Sequence, residues 1–538
     1  MMRVVDAIAR TLYDAGVRYA FGIPGGEVLH LLEAFRDVGI QFILTRHEMG
    51  AGFMADAVSR LSDGPSVLVA TLGPGLTNTV TPVAQAYLDR SPLVVITGAI
   101  ATNLENIYTH QMIDQAAILK PVTKFSATVR AIDAGEVTAK ALCIAVEGRP
   151  GPVHLNLPTD VAQMELVAPV RHRKTIAVPQ QARVPTDVQR RLQTAQRPIA
   201  LVGLGVANAC TASATKAFLE GWRIPAMTTY KAKGVIPENY ILCLGAIGLS
   251  PVIDKIQQSL LKAADLVVTI GFDPVELRSD WILPLQSSAS IINVDVVPAT
   301  HRIFTAQVEL IGDIGRTLLG MSENASEFAP DRWPETHLLD HREALKRAVQ
   351  VAGPDGLHPY DVLQILREEL PPTTLACVDT GSHRILANHV WECYEPNGLL
   401  QSNGLGSMAY ALPAAIAAQL LNQDRTVVCF TGDAGLDMMT GEMALLKAHK
   451  LRPVIVVFTD RALSLIKLKQ ERMNLPTYGV DFDIPNYTAL ARAYGGQGYV
   501  VNSTKELRDV VREIEGTSKE TFVLIEAHID PTDYQQQM

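Results

Sequence analysis

The stretch TVVCFTGDAGLDMMTGEMALLKAHKLRPVIVVFTD (426–460) holds two apolar runs, and each ends in an acid: TVVCFTGD closes on Asp433 and PVIVVFTD on Asp460. Val/Ile-rich runs without polar alternation read as strands covered on both faces, the pattern of a parallel sheet. The segment between them reads as helix, so the unit is β–α–β. Ligands of open α/β sheets sit beyond the carboxyl ends of the strands. Two acids at neighbouring tips suggest a cation, and a cation there suggests a phosphorylated ligand, because Mg2+ prefers oxygen ligands and usually keeps phosphate oxygens and water in its shell. Gly432, Ala434 and Gly435 flank Asp433 with little bulk, so backbone N–H groups can approach an anion. A helix expected around 440–450 would favour negative charge at its N-terminus. The plainer alternative makes Asp433 and Asp460 separate helix caps or turn acids.

Outward from this unit the same alternation covers the chain of 538 residues. A first region, 1–165, carries strands YAFGI, QFILT, PSVLVAT, PLVVITG and GPVHLNLP; a second, 186–335, carries PIALVGLGV, IPAMTT, LVVTIGF and SIINVDV. The third, 358–538, carries TLACVDTG, GLLQSN, TVVCFTGD, PVIVVFTD, GQGYVV and TFVLIEAHID. The expectation is an α/β protein of three doubly wound parallel-sheet domains. Polar, Pro-containing stretches, VRHRKTIAVPQQARVPTD and roughly 322–357, read as linkers, and the tail TDYQQQM reads as loose.

Composition excludes several classes. With 48% hydrophobic and 19% charged residues the chain is globular, and a net charge of −9 argues against general nucleic-acid or anionic-membrane binding. The N-terminus MMRVVDAIARTLYDAGVRYAFG reads as an amphipathic helix leading to a strand rather than a signal peptide, and no apolar run reaches membrane-spanning length. Six scattered cysteines form no CxxC pair or zinc-spaced cluster and read as reduced core thiols of a cytoplasmic protein. The GLG after PIALV lacks the full GxGxxG spacing of a dinucleotide site and reads as a structural turn.

A second constellation lies in ILTRHEMGAGFMADA (43–57), where Glu48 follows a buried strand and opens a helix of small residues. Such a carboxylate caps the helix or aims at a ligand; in an apolar site a glutamate has a raised pKa and can share a proton with a heterocyclic nitrogen. Beside it stand two Gly-rich turns, FGIPGGEV (21–28) and TLGPGLTN (71–78), each after a strand.

Together FGIPGGEVLHLLEAF, RHEMGAGFMADA, TLGPGLTNTVTPVAQAYLDRSPLVVITG, VDTGSHRI, NGLGSMAYALPAAIAA and the GDA…D pair resemble, in order and over nearly the whole chain, the thiamine-diphosphate enzymes of the acetolactate (acetohydroxyacid) synthase type. The resemblance implies thiamine diphosphate and Mg2+ as cofactors, with the cofactor between the first region of one subunit and the third region of another. It therefore implies a homodimer at minimum, with a homotetramer common. Glu48 matches the glutamate that hydrogen-bonds N1′ of the aminopyrimidine and favours the imino form at N4′, which removes the C2 proton. Asp433 and Asp460, with the Ala462 carbonyl, match the metal ligands. Thr380, Gly381, Ser382 and His383 match the segment that touches the diphosphate, and Gly432, Ala434, Gly435 and Leu463 fall in the same cofactor-binding set. Gly406 and Met408 match the pyrimidine-side residues, Met408 being the large residue that bends the cofactor into a V. Gly25, Pro74 and Asn78 complete the cofactor set, and Gln111, in THQMIDQ, matches an active-site glutamine.

Departures concern the substrate. Glu27 stands where catabolic acetolactate synthases carry lysine and biosynthetic ones a small residue, and LPTDV lacks the lysine of biosynthetic relatives. RALSLIKLKQ after Asp460 replaces the usual patterns, so Ser464, Leu465 and Lys467 would line an altered pocket with Glu27 and Gln111; Lys467 reads equally as a solvated helix charge. IGFDPVELRSDW is more similar to the FAD-free catabolic enzymes than to the FAD-bound biosynthetic ones, which makes FAD doubtful. The activity implied is a 2-oxo-acid carboligase acting on a small 2-oxo acid and a carbonyl acceptor. The alternatives are a non-ligating decarboxylase, a 2-hydroxy-ketone lyase, or a non-catalytic homologue, which retention of Glu48 and both acids disfavours.

Overall fold

The computed structural model describes residues 2–62, 64–166, 180–286, 290–323, 325, 332–350, 356–516 and 521–537. Within them lie three six-stranded sheets with flanking helices, and every ladder is parallel, as the apolar runs predict. The first sheet runs β2 (Gln41–Leu44), β1 (Tyr19–Ile23), β3 (Ser66–Ala70), β4 (Leu93–Ala99), β6 (Val153–Pro158), β5 (Phe125–Thr128). The second runs β12 (Val308–Ile311), β11 (Ile291–Asp295), β10 (Leu266–Ile270), β7 (Pro198–Val202), β8 (Ala226–Thr229), β9 (Cys243–Ile247). The third runs β14 (Leu399–Gln401), β13 (Leu375–Val378), β15 (Val427–Gly432), β16 (Val454–Thr459), β18 (Val523–His528), β17 (Gln497–Val501).

The first and third sheets share one strand order. In each, the chain steps outward from the first strand and then crosses back to the other side. That places a topological switch point between β1 and β3, and between β13 and β15, where the crevice of a doubly wound sheet forms. The Gly-rich turns of the first region follow β1 and β3; Asp379 follows β13, and Asp433 follows β15.

Packing divides the chain into two compact units: 1–176, 402–423 and 438–451 form the first, and 177–401, 424–437 and 452–538 the second. The first unit contains the first sheet. Its N-terminal helix Val4–Asp14 buries Val4, Ile8 and Leu12 completely, the face set by their helical spacing. Helix Glu48–Leu61 is buried from Gly50 through Ser59 because its small residues admit close neighbours. A Cβ at Gly52 would lie 2.5 Å from Pro82, and Phe53 meets Tyr410 edge-on at 5.5 Å. The second unit contains the other two sheets, whose interior strands are buried along nearly their whole length.

Several expectations are corrected. Strands β5, β9 and β12, absent from the sequence reading, are all at or beside a sheet margin. The stretch read as a second linker contains helix Glu335–Val349, which buries Leu338 and Val349. Residues 170–179 of the first linker lie outside the described residues; from Gln180 the chain is docked, with the Ala182 N–H donating to Thr317 Oγ1 at 3.0 Å. The tail is not loose: Asp533–Gln537 is helical, Tyr534 is buried, and Asp533 pairs with His358 at 2.7 Å. Cys143 and Cys210 are exposed, whereas the other four cysteines are buried thiols.

A polar layer crosses the first sheet. His154 on β6 is fully buried, with Nε2 2.8 Å from Thr97 Oγ1 and Nδ1 2.9 Å from Ser126 Oγ. Asn156 Oδ1 accepts from Thr97 Oγ1 at 3.0 Å and from Gln115 Nε2 at 2.7 Å. Burial lowers His154 from 6.5 to about 4. The unfolded chain therefore takes a proton below pH 6.5 while the folded protein refuses it until about pH 4. Stability from this group is complete above pH 6.5 and is lost as pH falls through that window, by about 3 kcal/mol in all. Wild type should lose about 2 kcal/mol more than His154→Gln between pH 7 and pH 5 in urea unfolding; parallel pH dependences would refute the assignment.

Candidate functional site

Two clusters of functional side chains emerge, one in each unit. In the first unit, Glu48 is the opening residue of its helix and is only 7% exposed. Its Oε2 accepts from Asn78 Nδ2 at 2.9 Å, which joins the RHE turn to the end of the 71–78 turn. Gly25 is sterically required: a Cβ there would stand 2.3 Å from Thr71 Oγ1. Gly73 has φ +63 and its N–H donates to Gln115 Oε1 at 3.1 Å. Pro74 and Asn78 lie exposed on the turn that follows.

Gln115, rather than Gln111, is the buried glutamine of THQMIDQ. Its amide also donates to the Gly98 carbonyl at 3.0 Å, so one side chain ties the tip of β4 to the Gly-rich turn after β3. Gln111 is exposed, in a left-handed conformation (φ +57), and packs against Gly73. Glu27, expected to line the substrate pocket, is half-buried and accepts from Thr71 Oγ1 at 2.5 Å. Its carboxylate is thus held across the switch point between the two Gly-rich turns.

Gly406 and Met408 sit on a loop pinned at both ends within this unit. Asp89 accepts the Gly404 N–H at 2.7 Å and the Asn403 N–H at 3.3 Å; Tyr410 Oη donates to Asp56 at 2.9 Å. Gly406 (φ +66) has open space where a side chain would be, and Met408 is half-buried. Asp56 and Asp89 escaped the sequence reading because an acid inside an apolar helix and another in a turn carry no local signature.

In the second unit Asp433 and Asp460 meet. Asp433 is the first residue of a short helix, Asp433–Asp437, which the sequence reading did not anticipate; the helical segment expected around 440–450 follows in the chain as Thr440–Glu442 and Met443–Ala448. Its Oδ1 accepts from the Ala434 N–H at 2.8 Å, and its Oδ2 from the N–H groups of Arg461 at 2.8 Å and Asp460 at 3.3 Å. Asp460 accepts from the Ala462 N–H at 3.3 Å and from the Ser464 hydroxyl. Burial raises both acids above the usual carboxylate range, Asp460 to about 6, and the charge of Asp433 adds to the shift at Asp460. Among the described residues no group of three or more His, Cys, Asp and Glu forms a ligand set, so a cation here would draw on backbone carbonyls and ligand oxygens besides these two acids.

The neighbouring segment 380–383 fits an anion. Thr380 Oγ1, Ser382 Oγ and His383 Nε2 are buried without a hydrogen-bond partner, an arrangement a protein interior rarely keeps unless something else satisfies it. The His383 ring stacks on Phe458 at 5.2 Å and lies against Gly432, where a Cβ would be 3.4 Å from the ring. Burial lowers His383 to about 3, so it is neutral. Asp379, missed by the sequence reading, accepts from the Thr380 N–H at 2.9 Å and Thr431 Oγ1 at 3.2 Å; it also occupies the space a side chain at Gly435 would need, 2.3 Å from the Cβ position. Tyr487, fully buried, has its hydroxyl 3.2 Å from the Asp433 carbonyl and 3.0 Å from Asp437.

The expected pocket lining after Asp460 is largely engaged. Ser464 donates to Asp460, Lys467 pairs with Asp481 at 2.8 Å, and the Leu463 N–H donates to the Val480 carbonyl at 2.8 Å; Leu465 is half-buried. In the second sheet, the GLG turn is closed by backbone. The Gly205 N–H donates to the Gly271 carbonyl at 2.9 Å, and a Cβ at Gly203 would lie 2.5 Å from that oxygen.

Comparison with known proteins gives the family. Residues 2–118 match the N-terminal TPP-binding domain of thiamine pyrophosphate enzymes, residues 186–321 the central domain, and residues 379–527 the C-terminal TPP-binding domain. The chain is 29% identical to an acetolactate synthase of Bacillus subtilis (strain 168), with 99% of this chain and 94% of the relative covered. It is 27% identical to the acetolactate synthase isozyme 3 large subunit of Escherichia coli (strain K12), over 99% and 96%. It is 30% identical to the acetolactate synthase large subunit of Parasynechococcus marenigrum (strain WH8102), over 98% and 86%. A match of this length, in three domains that carry Glu48 and the two strand-tip acids in order, shows that the chain belongs to the thiamine-pyrophosphate enzymes of the acetolactate synthase-like family.

Proposed function

We propose that this enzyme is a thiamine-diphosphate- and Mg2+-dependent 2-oxo-acid carboligase, which decarboxylates a 2-oxo acid and transfers the acyl carbanion equivalent to a second carbonyl. The observation that carries the reading is the cluster of unpaired buried polar atoms at Thr380, Ser382 and His383 beside the acids Asp433 and Asp460. Those atoms suit diphosphate oxygens, and a buried and a half-buried carboxylate, Asp433 and Asp460, both with raised proton affinity, suit a divalent cation that replaces the proton. When bound, the cofactor supplies a nucleophilic carbon and a sink for the electron pair that decarboxylation leaves.

The chain's own residues do the rest. Glu48, held by Asn78, presents a buried carboxylate that would share a proton with a ring nitrogen of the bound cofactor. Asp433, Asp460 and the Ala462 carbonyl would hold Mg2+, and the small residues Gly432, Ala434 and Gly435 would let the diphosphate approach the backbone. Gly25, Pro74, Gly406 and Met408 in the first unit and Leu463 in the second would add cofactor contacts, and the family pattern would assign Gln111 and Leu465 to the substrate. The segment IGFDPVELRSDW, more similar to the FAD-free enzymes, supports a reading without FAD. The same reading carries a homodimer at minimum, a homotetramer as the common assembly, a cytoplasmic location and no nucleic-acid or membrane partner. Among the described residues no helix is long and apolar enough to cross a membrane.

Glu27 favours a second reading. Its carboxylate, held by Thr71 where a catabolic enzyme would offer lysine, disfavours an anionic substrate group at that end. Decarboxylation without ligation, or cleavage of a 2-hydroxy ketone, then becomes the activity. Product analysis decides: the protein with thiamine diphosphate, Mg2+ and pyruvate should release CO2 and form acetolactate. CO2 without a ligated product would select the second reading, and no turnover of any 2-oxo acid or acyloin would overturn both. Glu48→Gln should keep its fold and lose turnover by about 10²- to 10⁴-fold; near-normal turnover would sink the mechanism. Asp433→Asn should raise the Mg2+ concentration for half-maximal activity by about 10-fold or more, and an unchanged requirement would refute the metal assignment.

A further inference from the structure

The turn that presents Glu48 is fastened by a residue far away in sequence. Glu442 is 1% exposed and belongs to the chain segment 438–451 that packs within the first unit. Its Oε1 accepts two backbone N–H groups, from Arg46 at 3.0 Å and from His47 at 2.9 Å. Its Oε2 is buried with no hydrogen-bond partner. Gly50, one turn into the Glu48 helix, leaves the necessary room: a Cβ there would stand 2.6 Å from Glu442 Oε1. The turn is held from its own side as well. Arg46 Nη1 donates to the Leu44 carbonyl at 3.0 Å, and His47 Nδ1 accepts the Met49 N–H at 3.0 Å.

A buried carboxylate with one oxygen unsatisfied is costly, so its retention at a place where hydrophobic packing would serve calls for a role. We propose that Glu442 is a positioning residue for the proposed reaction: by accepting the Arg46 and His47 N–H groups it fixes the backbone that aims the Glu48 carboxylate. The inference rests on the reading above, in which Glu48 is the acid that touches the cofactor. Removing the acceptor leaves the part-buried Arg46 and His47 N–H groups without their partner beside Glu48, and the turn is free to shift. A misplacement of about 1 Å there is worth on the order of 10²-fold in rate. Burial raises Glu442 to about 7, so a neutral side chain of the same shape is an adequate substitute.

The test uses the full-length protein and two readouts. Hydrogen exchange of the peptide spanning residues 44–49 is followed without cofactor, and turnover is followed with thiamine diphosphate and Mg2+. Glu442→Met fills the space but accepts no hydrogen bond. It should speed exchange at the Arg46 and His47 amides by about 10- to 100-fold and lower kcat by about 10²-fold, with substrate KM nearly unchanged. Glu442→Gln should restore both, because its amide oxygen accepts the same two bonds. Gly50→Ala, which displaces the carboxylate without removing it, should speed the same exchange. Unchanged exchange in Glu442→Met, or a Met variant as active as the Gln variant, would overturn the proposal. If wild type turns over no 2-oxo acid, the functional reading fails by itself, and the exchange arm still decides whether Glu442 holds the turn.

Discussion

Two carboxylates at the tips of adjacent parallel strands repel each other, and where water is largely excluded the repulsion is diluted less than at the surface. Asp433 and Asp460 are in that position, at the ends of β15 and β16. The surroundings supply backbone N–H groups from Ala434, Arg461 and Ala462 and the hydroxyl of Ser464, which lessen the cost of the charges without removing them. Much of the neighbouring architecture follows from this requirement. Asp433 must open a helix, Gly435 must lack a side chain because Asp379 fills that space, and Tyr487 must sit under the turn.

The first sheet solves a parallel problem with the same strand order and different chemistry. Where the third sheet concentrates acids, the first concentrates glycine and neutral polar groups: Gly25 against Thr71, Gly73 bonded to Gln115, Glu48 bonded to Asn78. No sequence repeat relates the two regions, yet the switch point lies between corresponding strands, β1 and β3 in one and β13 and β15 in the other. Topology makes the crevice, and the residues just past each strand decide the chemistry it presents.

The central strands were legible because a strand covered on both faces must be apolar along its length, as VIVVFT and VVCFTG are. The missed strands show where that logic weakens. FSAT of β5 and VELI of β12 lie at sheet edges, where partial exposure admits polar residues, and CLGAI of β9 is broken by Gly245 in a left-handed conformation and by a register shift in its ladder. The tail misled for another reason. TDYQQQM is polar in composition, but burial of Tyr534 and the Asp533–His358 pair depend on groups distant in sequence.

By itself the sequence determined the three-part parallel α/β class, the acids at the strand tips, the Gly-rich turns and Glu48 at the start of its helix, because each depends on composition within a few residues. Tertiary structure alone decided which polar groups meet. It chose Gln115 over Gln111 as the buried glutamine, turned Glu27 onto Thr71, and spent Ser464 and Lys467 on Asp460 and Asp481. It also brought Glu442 to the Arg46 and His47 N–H groups across 396 and 395 positions of chain. A buried donor must find an acceptor wherever the fold puts one, and that partner leaves no trace in the local sequence.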